Sequence, residues 1–302
     1  MSSVYQKKWH SIPGQIEKLR AYGLSIPDDA AAADFLQHIN YYRFSGYGLA
    51  FEQSRHHFIP GTTFEQIRDT YEFDRALRDL CTESIEVIEL DLRTATAHSF
   101  GEKYGPFGHV LSQHFFGAFR HSEWLDKLRE ETGRSSELFI AHYKSRYQEY
   151  PDLPIWVATE IMSFGALSKM FRGMWKCDQK SVSARYGLQP ETLGSWIHHL
   201  VYVRNLCAHH ARLWDRIWTI KPNLPAGNAW LPPGLPGNTR LFASLLIQNT
   251  MLRRCPAEHS FVEDWRRRVG KLIEDKLPTC PGAMQKMDMP REWQTHPLWC
   301  VK

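Results

Sequence analysis

The stretch Thr63–Gly101, TFEQIRDTYEFDRALRDLCTESIEVIELDLRTATAHSFG, decides the fold class. Its apolar side chains fall at Phe73, Leu77, Leu80, Cys81, Ile85, Ile88, Leu92 and Ala95. Steps of three and four sustained over this length predict one long amphipathic helix, because residues so spaced stack on a single face. Its start is also legible. Pro60-Gly61 turns the chain, Thr63 is a capping residue, and Gln66 three positions on completes a capping box. Gly101 is the expected stop. Glu86, Glu89 and Arg93 fall on the other face, and Glu89 and Arg93, four apart, are placed to pair.

Outward from this helix, helical periodicity recurs and strand-like alternation is scarce. Residues 103–121, with Gly105-Pro106, read as loop and short turns. Helices are expected over 122–132 and 136–147. After Pro151 and Pro154, the apolar run Ile155–Phe171 suits one central buried helix. Pro190-Glu191 opens the next, proline in a first turn and an acid at the positive end of the helix dipole. It is expected to run to about Trp218. One stripe on it, Trp196, Leu200, Val203, Cys207, His210 and Trp214, should face the core; a neighbouring face, His198, Val201, Asn205, His209 and Arg212, is mostly polar. Residues 221–238 hold five prolines and three glycines, a linker or a rigid surface loop. Beyond them Arg240–Arg254 and Phe261–Lys276 read as two helices, the second amphipathic and basic, before an irregular tail from Pro278. The expected architecture is an all-α bundle over 1–220, with 221–302 as linker and C-terminal helical extension packed on it.

Composition narrows the function. In 302 residues, 43% hydrophobic and 23% charged describe an ordinary globular chain. A net charge of +4 is too weak for a protein that coats duplex nucleic acid, although a local basic pocket would still suit an anionic partner. Aromatic residues at 13%, 11 of them Trp, supply a bulky core and flat surfaces for stacking. The six cysteines form no Cys-x-x-Cys pair and no zinc spacing, so free thiols are expected, with no metal and no cofactor. No apolar signal core opens the chain, and nothing approaches the ~18 apolar residues of a membrane span, so a cytoplasmic protein is expected.

The strongest candidate for chemistry is Arg204-Asn205-x-x-x-His209. Metal-free RNA cleavage must move a proton from the ribose 2′-OH, offset charge on the phosphate, and protonate the leaving 5′ oxygen. Histidine suits the proton steps, with an ordinary pKa near 6.5, and the permanently charged guanidinium fork suits the phosphate. On a helix Asn205 and His209 lie about 40° apart and share a face, whereas Arg204 and His209 lie about 140° apart. Arg204 must therefore curl around the helix or meet a histidine from a second copy in a composite homodimeric site. His210 falls on the apolar stripe and reads as a packed histidine supporting the site. Spacing alone is weak, since 23 arginines and 15 histidines produce other such pairs, Arg93 with His98 and Arg291 with His296.

Other candidates carry plain structural readings beside functional ones. Arg212, Glu89 and Arg93 would support the site, or Glu89 and Arg93 form a helix-face ion pair. Tyr41, Tyr42, Arg43 and Tyr47 would stack or grip RNA bases, or pack a helix end into the core. Arg266 and Arg267, in a run with Arg268, would grip phosphates, or form a solvated face.

Seven blocks in order along the chain carry a resemblance: INYYRFSGY at 39–47, PGTTF at 60–64, YEFDR at 71–75, IELDLRT at 88–94, KYGPF at 103–107, RNLCAHHARLW at 204–214, and the ending WQTHPLW at 293–299. Together they resemble the abortive-infection family called AbiD/AbiF-like, which is placed in the HEPN superfamily. That resemblance implies an all-helical HEPN-like fold and metal-independent endoribonuclease activity in phage defence. It implies catalytic roles for Arg204, Asn205 and His209, and RNA as partner, both as substrate and as a small structured antitoxin RNA. The alternative is a non-catalytic HEPN-like module that binds RNA or protein.

Overall fold

A computed structural model describes residue 4 and residues 8–255 and 259–300. The described residues are all-α, with twelve α-helices and one two-stranded antiparallel hairpin. Among them no helix is long and apolar enough to cross a membrane. The chain divides into two compact units, residues 1–77 with 269–285 and residues 78–268 with 286–302.

In the first unit, α1 (Ile12–Ala21), α2 (Asp29–His38) and α3 (Tyr41–Gly48) precede the hairpin of β1 (Glu52–Ser54) and β2 (His57–Phe58). Each helix opens on a side-chain cap. Ser11 Oγ accepts from the Gly14 N–H at 3.3 Å, Asp28 Oδ1 from Ala31 at 2.9 Å and Asn40 Oδ1 from Tyr42 at 2.7 Å. Phe44 stacks on Phe64 at 4.5 Å between ring centres, with Phe35 edge-on to both. The next helix, α4 (Phe64–Tyr104), has the predicted start. The Thr63 N–H donates to Gln66 Oε1 at 2.9 Å, and the Gln66 N–H returns a bond to Thr63 Oγ1 at 3.3 Å.

Residues 78–104 of α4 belong to the second unit. Its end differs from expectation. The helix passes through Gly101 and stops at Tyr104, where Gly105 takes φ +72° and donates to the Gly101 carbonyl at 2.9 Å. Gly101 serves packing instead, because a Cβ there would stand 3.1 Å from Ile155 Cγ2. Two helices, α5 (His121–Arg134) and α6 (Leu138–Arg146), match the predicted pair. The apolar run that follows is not one helix. It breaks at Met162-Ser163 into α7 (Ile155–Ile161) and α8 (Phe164–Gly173), because Ser163 Oγ accepts from the Ala166 N–H at 3.2 Å and so caps a new start. Then come α9 (Lys176–Tyr186) and α10 (Pro190–Ala208), with α10 packed on α8 and α9.

The helix buried all round is α11 (Leu241–Leu252), in which every residue from 241 to 249 is inside. Its polar side chains find partners, Asn249 Oδ1 excepted. Asn249 donates to the Leu298 carbonyl at 2.6 Å, and Gln248 Oε1 accepts from Ser84. The last helix, α12 (His259–Lys276), agrees with its prediction.

His199 of α10 is fully buried between two oxygens. Its Nδ1 is 2.6 Å from the Ile220 carbonyl and its Nε2 2.6 Å from Ser244 Oγ. A carbonyl only accepts, so Nδ1 carries the hydrogen and Nε2 accepts from the serine, which fits a neutral ring. Burial pushes the His199 pKa down to about 4, and does the same to buried His109. Below about pH 6.5 the unfolded chain therefore takes up protons that the folded chain refuses. Stability should fall as pH drops from about 6.5 toward about 4. Urea unfolding across that window should show a shallower loss for His199→Gln than for the wild type; equal slopes would mean that His199 is not buried neutral.

Candidate active site

The candidate motif lies at the far end of α10. The predicted stripe is observed as far as the helix runs, with Trp196, Leu200, Val203 and Cys207 all buried. Burying that stripe turns Arg204 and Asn205 outward. The proline-rich segment 221–238 is a packed loop. Its Asn223 carbonyl accepts from Trp196 Nε1 at 2.7 Å, and Trp230 lies against Trp196 with ring centres 5.3 Å apart.

The helix ends at Ala208, ten residues before the expected Trp218. Two backbone bonds close it: the His210 N–H to the Cys207 carbonyl at 2.9 Å, and the Ala211 N–H to the Leu206 carbonyl at 2.8 Å. This pair is the Schellman arrangement, and it needs a left-handed residue just past the cap. His209 is the cap, at φ −92° and ψ 14°, and His210 takes the left-handed position at φ +53°. His210 is therefore not a packed member of the apolar stripe. The reversal carries it out to the surface, while Trp214 is buried from the following loop instead of from a helix.

Arg204, Asn205 and His209 are all exposed. Among the described residues none of their side chains is engaged in a hydrogen bond or ion pair. Two other Arg/His pairs of the same spacing differ. Arg93 is buried, although His98 is exposed; Arg291 is exposed, although His296 is buried. Of these three pairs, only Arg204 and His209 offer both groups to solvent; a fourth of the same spacing, Arg254 with His259, ends on a side chain outside the described ones. Positive charge gathers nearby in sequence with half-buried Arg212 and Arg216, while the one acid among them, Asp215, is taken by Arg240 at 3.2 Å and Lys286 at 3.4 Å.

The remaining candidates sit elsewhere. Arg93 donates to Glu89 and to the Thr159 carbonyl inside the fold, a clasp between α4 and α7. Tyr47 is not a stacking surface: it is buried, and its hydroxyl donates to Asp74 at 2.7 Å. Tyr42 is exposed, and Tyr41 and Arg43 are half-buried. Arg266 donates to the Trp299 carbonyl at 2.9 Å, Arg267 pairs with Asp264, and Arg268 pairs with Glu83, so this basic run is bound into α12 and its neighbours.

One residue near the motif escapes a reading for polar faces. Arg78 of α4 is buried and points Nη1 at the Ala211 carbonyl, 3.5 Å away, just after the reversal. The available signal was an arginine wedged between Leu77 and Cys81 of the apolar stripe, since buried guanidinium groups are rare without partners.

Compared with known proteins, residues 34–215 match a family model described as Abi-like protein. No curated protein and no solved structure matches the chain.

Arg78→Met should loosen the turn that holds the two histidines. Losing a buried guanidinium and orphaning its acceptors should cost about 2–4 kcal/mol. Urea unfolding measures this, and an unchanged midpoint would remove Arg78 from the support of the site.

Proposed function

Because the chain belongs to the Abi-like protein family, a group associated with abortive infection in phage defence, we propose that it is an endoribonuclease of that response, acting at the end of α10. The observation that carries this reading is an arginine, an asparagine and a histidine exposed together on one helix end, with no partner among the described residues. In this reading His209 accepts the proton of a ribose 2′-OH. The 2′ oxygen attacks phosphorus, the bond to the 5′ oxygen breaks, and a 2′,3′-cyclic phosphate and a 5′-hydroxyl form. Arg204 offsets the charge on the phosphate oxygens, and Asn205, on the face shared with His209, holds the substrate by hydrogen bonds. The reaction needs no metal and no cofactor. RNA is the substrate, and a small structured RNA that occupies the same site would restrain it. HEPN-like catalysis of this kind accounts for the Arg-Asn-x-x-x-His order.

Arg204 and His209 diverge by about 140° around the helix axis, which favours a site completed by a second copy of the chain. Arg204→Ala and His209→Ala should each abolish growth arrest on expression, and should lower RNA cleavage in excess EDTA by on the order of 100-fold or more. Mixing the two variants should restore part of the activity if two chains share the site. RNA that is bound but left uncut by the wild type, or cleavage that requires a divalent ion, would refute the nuclease reading.

A further inference from the structure

We propose that His210 is a second catalytic residue, the acid that protonates the departing 5′ oxygen while His209 takes the 2′ proton; this rests on the nuclease reading of the same site. The starting point is the backbone. A Schellman stop requires a left-handed residue, which glycine adopts freely and other residues adopt at a cost on the order of 1 kcal/mol. The same two-bond closure ends α9, where Leu188 bonds back to Ser183 and Gly187 to Ala184, and there the left-handed residue is glycine at φ +65°. At the identical position of α10 the chain places histidine, at φ +53°.

Strain retained at one helix end and absent from the equivalent one points to use of the side chain. The chemistry states what that use is. Cleavage by the 2′ oxygen moves two protons at two different oxygens, and one imidazole cannot reach both at once. The helix end presents two exposed imidazoles in succession, His209 at the cap and His210 past the reversal, so their side chains leave the backbone in different directions. Neutral His209 gains the 2′ proton and protonated His210 loses one to the 5′ oxygen. The reaction is balanced, and exchange with water resets both rings.

The test separates the side chain from the backbone. His210→Gly keeps the left-handed turn open to the backbone, so this variant should fold and still bind RNA. Its cleavage of RNA should nevertheless fall on the order of 100-fold or more. His210→Asn, which also tolerates the left-handed region, should lose cleavage equally. A substrate whose leaving group needs no proton, uridine 3′-(p-nitrophenyl phosphate), should be cleaved by His210→Gly at close to the wild-type rate, whereas His209→Ala should stay inactive on it. Wild-type RNA cleavage by either His210 variant, or no recovery on the activated ester, would overturn the assignment and leave His209 and Arg204 standing. A wild-type protein that cleaves neither substrate would instead bring down the nuclease reading itself.

Discussion

A helix cannot end inside a protein without finding partners for its last carbonyls. In α10 that requirement is met by two bonds, His210 to Cys207 and Ala211 to Leu206, and they set the direction of everything after residue 208. The apolar stripe from Trp196 to Cys207 fixes the rotation of the helix by burying one side. The stop fixes where the polar side is cut off. Between them they leave Arg204, Asn205 and His209 on the surface at a helix terminus, with the chain doubling back beneath them into buried Leu213 and Trp214. Had the helix continued to Trp218, His209 would have been a mid-helix side chain flanked by further turns, with less open approach for a polymer.

What the sequence discloses depends on how many residues share one signal. α4 was legible because its spacing repeats over 41 residues and its capping box is a local pattern. α1, α2 and α3 have 8 to 10 residues each, too few turns for a period to stand out, and their caps Ser11, Asp28 and Asn40 are common loop residues. The break at Met162-Ser163 was hidden because one serine in an apolar run looks tolerable in a helix until its hydroxyl is seen taking a backbone N–H. The end of α10 was hidden for a related reason. Helix stops are sought at glycine, asparagine or proline, and residues 206–211 contain none of these. The same omission put His210 on a stripe that no longer existed at that point. The motif itself was visible, and so was the preference for His209 as its histidine. What the sequence did not contain was the exposure that separates one Arg/His pair from two others of equal spacing.

That separation has an energetic reading. A buried charge must be matched, since an unpaired one costs several kcal/mol; Arg93 meets this with Glu89 and the Thr159 carbonyl, and buried Asp91 meets it with Arg185 and Tyr186. An exposed arginine forgoes only about 0–1 kcal/mol by standing without a partner. Keeping Arg204 free therefore costs the fold almost nothing, while everything it holds in reserve is available to a phosphate. The helix end works against this in part. Its unsatisfied carbonyls carry roughly half a negative charge, which repels an anion. One full positive charge on Arg204 exceeds that, and half-buried Arg216 adds to it, with Asp215 already engaged by Arg240 and Lys286. A weakly basic chain can thus offer an anion-favouring end to one helix, so the modest net charge of +4 and an RNA substrate are compatible: the field that matters is local.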